Sequence, residues 1–318
     1  MLGFFLASCG WNTQDIENSV AVEENTQLQV TSSIIPLSSV INSIGWDYIS
    51  VNTIIPAGVS PHGFDLSARQ MVEIEKSDIV FLLGLEEIDG FLKKSSPVEK
   101  QVHLADGIEL LKAEAHSHEE EHAHKEEEHG HEEDHSDEIH HDEEEHAHDT
   151  DPHVWLGKEN ITLIAQKIRE ELSAILPEQA AYFSQNTEAF ITELEQIYSD
   201  FEMQVTGKSP REFIVFHDAY NYLMQSVGMD LWLRIPFSKN VLHETGTAHR
   251  VELIEEIELH GVRHVFREPQ FSDGNLQSFA LEYNLEVGIL DPLGTDESAP
   301  GYLQNLRKNL ESLSVVYE

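Results

Sequence analysis

The sequence predicts an α/β protein made of two parallel-sheet lobes that are joined by one long helix. Its 318 residues are enough for about two domains of roughly 150 residues each. In both halves, short apolar runs typical of strands alternate with segments of helical period. Between the halves, a helical pattern continues without a break over residues 178–205. With 40 % hydrophobic residues, each lobe can bury a core.

The first half alternates strands and helices from its start. The predicted order is strand 28–35, helix 36–45, strand 48–55, helix 67–76, strand 78–83 and a strand near 101–104. This succession is what a parallel sheet covered by helices requires. We assign residues 28–177 to the first lobe.

An acidic, histidine-rich insert interrupts this lobe over residues 114–150. Residues 114–151 contain 18 acidic residues and one lysine, and Ile139 is almost the only large apolar side chain. Such a segment cannot bury enough surface to offset its ordering entropy, so we expect a disordered insert. Its eleven histidines predict auxiliary metal sites of low affinity: His116, His118, His122, His124, His129, His131, His135, His140, His141, His146 and His148.

The pattern resumes after the insert. A helix over 158–176 is separated by Pro177 from the long linking helix, residues 178–206. The second lobe, residues 207–318, repeats the alternation. Its predicted elements are strand 213–216, a helix from 219, helix 250–260, strand 264–267, helix 275–283 and strand 287–290.

The formal net charge of −40, from 19 basic and 59 acidic residues, excludes nucleic acid as a partner. No basic face of useful size can exist on such a chain. The single cysteine excludes an internal disulfide and every metal site built from several cysteines. A metal site must therefore use histidine and carboxylate.

That cysteine lies in Leu6-Ala7-Ser8-Cys9, after a short apolar start. The segment resembles a bacterial lipobox, in which the cysteine is acylated and anchors the protein outside the cytoplasmic membrane. The longer apolar region and the N-terminal Lys or Arg of a full signal are missing, so we expect residues 1–27 to be the remnant of a lipoprotein signal followed by a polar tether. The lipid at Cys9 is the only predicted contact with the membrane.

Four residues are candidates for a metal site between the lobes: His62, His153, His217 and Asp291. His62 follows the second predicted strand after a short turn, while His217 and Asp291 end strands of the second lobe. Ligands of open α/β sheets gather at the carboxyl ends of strands, which places these side chains in one crevice. Three imidazoles with one further oxygen suit tetrahedral zinc better than hard cations such as Mg²⁺.

The other residues near these positions have more ordinary expected roles. His103 and His264 lie in predicted strands, and His260 precedes Gly261 at a helix end, where a cation complements the helix dipole. His243 and His249 could be auxiliary ligands. Two further expectations concern the surroundings of the site: Asp218 orients a ligating imidazole, while Trp155 and Phe64 form packing walls.

The chain resembles the zinc-binding receptors of bacterial zinc ABC importers, the ZnuA type of the metal-binding solute-binding family. Besides the insert, the motifs that carry the resemblance stand in the expected order: Pro61-His62, His153-Val154-Trp155-Leu156, Val215-Phe216-His217-Asp218-Ala219-Tyr220, Glu268-Pro269-Gln270-Phe271 and Leu290-Asp291-Pro292-Leu293-Gly294. One stretch, residues 235–249, departs from the family pattern.

The resemblance implies a non-enzymatic receptor, periplasmic or at the cell surface, that binds Zn²⁺ and delivers it to an ABC permease. It implies that His62, His153 and His217 are the zinc ligands, and that Asp291 is either the fourth ligand or a partner behind one. A monomer is expected. Three alternatives remain open: a manganese-specific relative, a zinc-buffering adhesin, and a zinc enzyme, because three histidines with an open fourth position are also a catalytic geometry.

Overall fold

Each of two sheets contains four parallel strands in the computed structural model, which describes residues 27–93, 97–112, 150–238 and 246–318. The first sheet has the order β2-β1-β3-β4. Its strands are β1 (Leu28–Ser32), β2 (Ile49–Thr53), β3 (Ile79–Leu82) and β4 (Gln101–His103), and its helices are α1 (Ile35–Gly45), α2 (Ala68–Lys76) and α3 (Glu86–Lys93). All four residues of β3 are buried, as expected for an inner parallel strand with both faces covered.

Two helices follow the segment that flanks the insert: α4 (Lys158–Ile175) and α5 (Ala180–Val205). Helix α5 has 26 residues, and its buried side chains recur every three or four positions from Phe183 to Phe201. This stripe is the apolar face of an amphipathic helix. The helix packs against α1 and α4, so it is held along its length.

The second sheet has the order β6-β5-β7-β8, the same order as the first. Its strands are β5 (Phe213–Val215), β6 (Arg234–Pro236), β7 (His264–Arg267) and β8 (Glu286–Ile289), and its helices are α6 (Asn221–Ser226), α7 (Thr247–His260), α8 (Gly274–Glu282) and α9 (Gly301–Leu313). The predicted fold class, two parallel-sheet lobes joined by one long helix, is confirmed.

The lobes share one apolar core, in which α9 of the second lobe packs against α1 and α5. Two polar contacts reinforce the junction: the Trp155 indole N–H donates to the Pro292 carbonyl at 2.7 Å, and the Tyr302 hydroxyl donates to the Trp155 carbonyl at 2.7 Å. Trp155 is fully buried between them. The junction is therefore packed as a protein interior.

Three elements are absent from the predicted series: α3, β6 and α9. Strand β6 is short and contains Pro236, which a sheet tolerates at an edge. Helix α9 carries the apolar period Leu303, Leu306, Leu310 and Leu313, so its signal was present in the sequence.

Among the described residues, no helix has both the length and the apolar character needed to cross a bilayer.

Candidate metal site

His62 reaches the crevice from the loop between β2 and α2. Its backbone N–H donates to the Ser60 hydroxyl at 3.2 Å, and the Phe64 N–H closes a turn onto the Pro61 carbonyl at 3.1 Å. Gly63 supplies the left-handed conformation of this turn, with φ of 74°. The turn presents the His62 side chain, which is only partly buried, toward the second lobe.

His153 lies just before α4, at the start of a short 3₁₀ turn. The Asp151 Oδ1 atom accepts two hydrogen bonds from it, from the backbone N–H at 2.9 Å and from Nδ1 at 2.7 Å. Both residues are buried, with 3 % and 2 % of their surfaces exposed. Because Nδ1 carries the donated proton, Nε2 is left with a free lone pair.

His217 lies two residues after the end of β5, and Glu268 comes directly after the neighbouring strand β7. The His217 Nδ1 donates to Glu268 Oε1 at 2.7 Å, and the His217 backbone N–H contacts the same oxygen at 3.3 Å. This arrangement repeats that of His153: a buried carboxylate fixes the ring and leaves Nε2 as the available ligand atom. Both side chains lie at the carboxyl ends of adjacent parallel strands, as the strand-end rule predicts.

The three imidazoles converge on one point. His153 Nε2 lies 3.2 Å from His62 Nε2 and 3.3 Å from His217 Nε2, and one ligand atom from each residue lies within 4.8 Å of the others. Two nitrogens bound tetrahedrally to one zinc ion at 2.0–2.1 Å are separated by about 3.3–3.4 Å. Two of the three separations therefore match those of a tetrahedral zinc ligand set.

The electrostatics of the cluster favour a bound cation. When the Nδ1 atoms of His153 and His217 carry the protons, their Nε2 lone pairs face each other at 3.3 Å with no proton between them. Burial first, and then the neighbouring His153 and His217, lower the pKa of His62 to about 2. Burial alone would lower the pKa of His217 as well, but the Glu268 carboxylate and more distant acids outweigh it and raise that pKa.

A small cavity lies between the three imidazoles and the second lobe. Its volume of about 10 Å³ is close to the least that holds one water molecule. Trp155 lines it as predicted, and its ring centroid lies 5.3 Å from that of His153. Phe271, which was not predicted, lies 5.6 Å from the His217 ring. Phe64 packs instead against Phe91, with ring centroids 5.5 Å apart, and is not part of this wall.

Asp291 does not join the three histidines among the described ligand atoms. Its Oδ1 accepts from the Gln270 amide at 2.6 Å and from the backbone N–H groups of Leu293 and Gly294 at 3.0 and 2.8 Å. Gln270 lines the cavity. Asp291 thus stands behind the site, one contact away from the cavity.

The sequence predicts that Asp218 orients a ligating imidazole. This prediction is wrong for the hydrogen bond at His217 Nδ1. That contact is made by Glu268, while Asp218 forms an ion pair with the buried Arg234 at 2.6 Å. Neither Asp151 nor Glu268, although Glu268 belongs to one of the family motifs, was predicted to hold a histidine. A signal existed for both: Asp151 lies two residues before His153, and Glu268 comes directly after a strand.

The remaining histidines lie away from the cluster. His103 and His264 lie in β4 and β7, and His249 contacts Glu252 and the Pro236 carbonyl, each at 2.8 Å. His260 ends α7 before Gly261, as predicted, and lies 2.7 Å from Glu212 and 3.2 Å from Glu256. His243, Cys9 and the eleven histidines of the insert lie outside the described residues.

Comparison with known proteins identifies the family. The family model described as zinc-uptake complex component A, periplasmic (ZnuA), matches residues 30–316. The high-affinity zinc uptake system protein ZnuA of Haemophilus influenzae is 35 % identical over 289 residues, which cover 83 % of this chain and 85 % of that protein. The zinc-binding lipoprotein AdcA of Streptococcus pneumoniae is 24 % identical over 302 residues, 90 % of this chain and 55 % of that protein.

The fold agrees with this match. A crystal structure of ZnuA superposes with a TM-score of 0.73 at 22 % sequence identity, covering 91 % of this chain and 99 % of that one. At this level of identity, the superposition shows only that the two proteins share a fold. The family match over residues 30–316 carries the assignment: the chain belongs to the ZnuA family of zinc-uptake components.

Proposed function

We propose that the protein is an extracytoplasmic receptor that binds Zn²⁺ through His62, His153 and His217 and delivers it to the permease of an ABC importer. The observation that carries this proposal is the convergence of three imidazoles, with two Nε2 separations of 3.2 and 3.3 Å. Three nitrogen donors favour zinc over manganese, which prefers oxygen ligands. The 35 % identical relative is named for zinc uptake.

The role is binding and transfer, not catalysis. Zinc with three histidines and an open position could in principle activate a water molecule. However, the cavity that the three histidines line has a volume of about 10 Å³, close to the least that holds one water molecule, which leaves little room for an organic substrate. We therefore take the ion to be the cargo, which leaves chemically unchanged.

The burial of the three ligands suggests the side from which zinc enters. His153 and His217 are buried with their carboxylate partners, whereas His62 is partly exposed on a loop. The His62 loop is the least constrained of the three supports. Zinc enters and leaves on the side of this loop, and the two histidines held by carboxylates form the fixed part of the site.

The remaining organisation follows the sequence analysis. Residues 1–27 include a polar tether with a lipid anchor at Cys9, and the insert 114–150 collects zinc weakly. Lobes 28–177 and 207–318 flank the linking helix 178–206. The protein works as a monomer at the outer face of the membrane. In support of the anchor, the streptococcal relative is named a lipoprotein.

Zinc uptake by a bacterium that lacks its own zinc receptor tests the proposal. We expect that the full chain, expressed with its cognate permease, restores growth in zinc-depleted medium, and that the His217→Ala variant does not. A His103→Ala variant changes a histidine of β4 outside the site and should restore growth fully. Rescue by manganese and not by zinc, or equal growth with His217→Ala, would contradict the proposal.

A further inference from the structure

Gln270 is a polar residue of the cavity that is not one of the three zinc ligands. It lines the same cavity as the three imidazoles. Its Nε2 faces the Asp291 carboxylate at 2.6 Å, and because a carboxylate oxygen only accepts, the amide nitrogen must be the group on that side. The amide oxygen, Oε1, is then the free end, and it is buried without a hydrogen-bond partner.

Asp291 holds this amide in a fixed orientation. Besides the Gln270 amide, its Oδ1 binds the N–H groups of Leu293 and Gly294. Its own backbone N–H donates to the Asn309 side chain at 2.8 Å, and its carbonyl accepts from the Asn309 amide at 2.7 Å. Asp291 therefore cannot turn toward the histidines without giving up several hydrogen bonds. Its carboxylate serves to orient Gln270.

A buried carbonyl oxygen without a hydrogen-bond donor costs free energy. A donor inside the cavity would remove this cost for Gln270 Oε1. When their Nε2 atoms bind a metal, the three imidazoles present no N–H donor on the metal side. Tetrahedral zinc has a fourth position, and a water molecule bound there is a strong donor because the ion polarises it. The cavity of about 10 Å³ has the size for one such molecule.

We propose that Gln270 is a positioning residue of the zinc site: its amide oxygen accepts a hydrogen bond from the water that fills the fourth coordination place, and Asp291 fixes the amide. The proposal rests on the proposed function, since it requires zinc at the three histidines. Asp291 then contributes through Gln270 and does not ligate the ion.

Two buried carboxylate oxygens near the site also lack hydrogen-bond partners, Glu268 Oε2 and Asp151 Oδ2. Both belong to carboxylates whose other oxygen binds a histidine Nδ1. These carboxylates stand behind their imidazoles, because Nε2, and not Nδ1, faces the ion. Gln270 has no such bond to an imidazole, and its oxygen is available to the water.

The test compares Gln270→Leu with Asp291→Asn in the full chain. Leucine has a similar size but no acceptor, whereas asparagine keeps the Oδ1 acceptor that holds the Gln270 amide. The matched control is Gln277→Leu, which removes an amide–carboxylate bond of the same kind, to Asp273 at 2.7 Å, on an exposed face. Zinc affinity is measured by chelator competition, and the ligand set is followed through the visible absorption of the cobalt-loaded proteins.

We expect Gln270→Leu to lose about 10- to 100-fold in zinc affinity, the usual cost of removing a partner behind the ligands, and to change the cobalt spectrum. The Gln277→Leu control should stay within about threefold of wild type with an unchanged spectrum, and Asp291→Asn should lose less affinity than Gln270→Leu. A wild-type chain that binds no zinc at the histidines would refute the proposed function itself.

Three results overturn the inference alone: wild-type affinity in Gln270→Leu, weaker binding there with an unchanged cobalt spectrum, or a larger loss in Asp291→Asn. If Gln270→Leu does not fold, Gln270→Met decides. Methionine has a similar length and no amide oxygen, so this variant should lose zinc affinity as leucine does, whereas wild-type affinity would contradict the role of that oxygen.

Discussion

At the residue scale, two buried carboxylates determine what the central histidines can do. Asp151 and Glu268 each hold an imidazole through Nδ1 at 2.7 Å, which fixes the ring and leaves Nε2 for the metal. The three histidines could be predicted from their places after strands and motifs. Their partners could not, because a sequence does not show which carboxylate on a neighbouring strand points at which ring.

Replacing one of the three histidines by alanine should weaken zinc binding by more than about a hundredfold. Losing a partner behind a ligand already costs 10- to 100-fold, and each histidine supplies one of only four coordination places. Equilibrium competition with a zinc chelator measures the loss, and circular dichroism checks the fold. The His103→Ala variant is the control and should bind like wild type. An unchanged affinity in His62→Ala would remove His62 from the site.

Zinc affinity should fall as the pH falls, because free histidines take up protons that zinc must displace. Only a few protons should be displaced for each zinc ion that binds. The pKa of His217 is raised above its ordinary value of 6.5, so this ring becomes protonated first and competes with zinc. The pKa of His62 is lowered to about 2, so His62 stays neutral throughout. Between pH 5 and 6.5 we expect at most two protons released per zinc ion bound. Calorimetry in buffers of different ionisation enthalpy counts them, and a count of three is incompatible with this assignment.

At the scale of elements, long periodic segments were predictable and short edge elements were not. Helix α5 was predicted over its full length because its apolar stripe, from Phe183 to Phe201, recurs for about five turns. Strand β6, of three residues with Arg234 buried at its start, has no strand-like period at all. Tertiary contact with β5 defines it.

The long helix should depend on its buried stripe for stability. Leu194 is fully buried in the middle of α5, so Leu194→Ala should lower the free energy of unfolding by about 2–5 kcal/mol. Glu195→Ala, on the exposed side of the same turn, should change it by less than about 0.5 kcal/mol. Denaturant unfolding compares the two. Equal effects would mean that the stripe does not anchor the helix.

The insert should be removable without loss of the tight site. Lys112 and Thr150 on either side of it form an antiparallel bridge, and the Asp151 N–H donates to the Leu111 carbonyl at 2.8 Å. A short glycine-serine link can therefore join the two ends when residues 114–149 are deleted. Calorimetric titration should show one tight zinc site and no weak ones, and disappearance of the tight site would mean that the insert supplies a primary ligand.

At the scale of the whole molecule, two sheets of the same strand order face each other across the site. The alternation of strands and helices predicted two lobes, and the strand-end rule placed the site between them. Neither could show that Asp291 stays outside the histidine cluster, because its hydrogen bonds to Gln270, Leu293 and Gly294 depend on the loop conformation. The fold and the three histidines could be predicted from the sequence, whereas the group at the fourth coordination position could not.

The proposed function requires one zinc ion bound to three imidazoles between the lobes. X-ray absorption at the zinc edge reports the ligands of that ion, on protein without residues 114–149 and loaded with one equivalent of zinc. We predict a four-coordinate site with three imidazole nitrogens and one oxygen at about 2.0–2.1 Å. A shell of oxygens alone, or one with fewer than three imidazoles, would contradict the account.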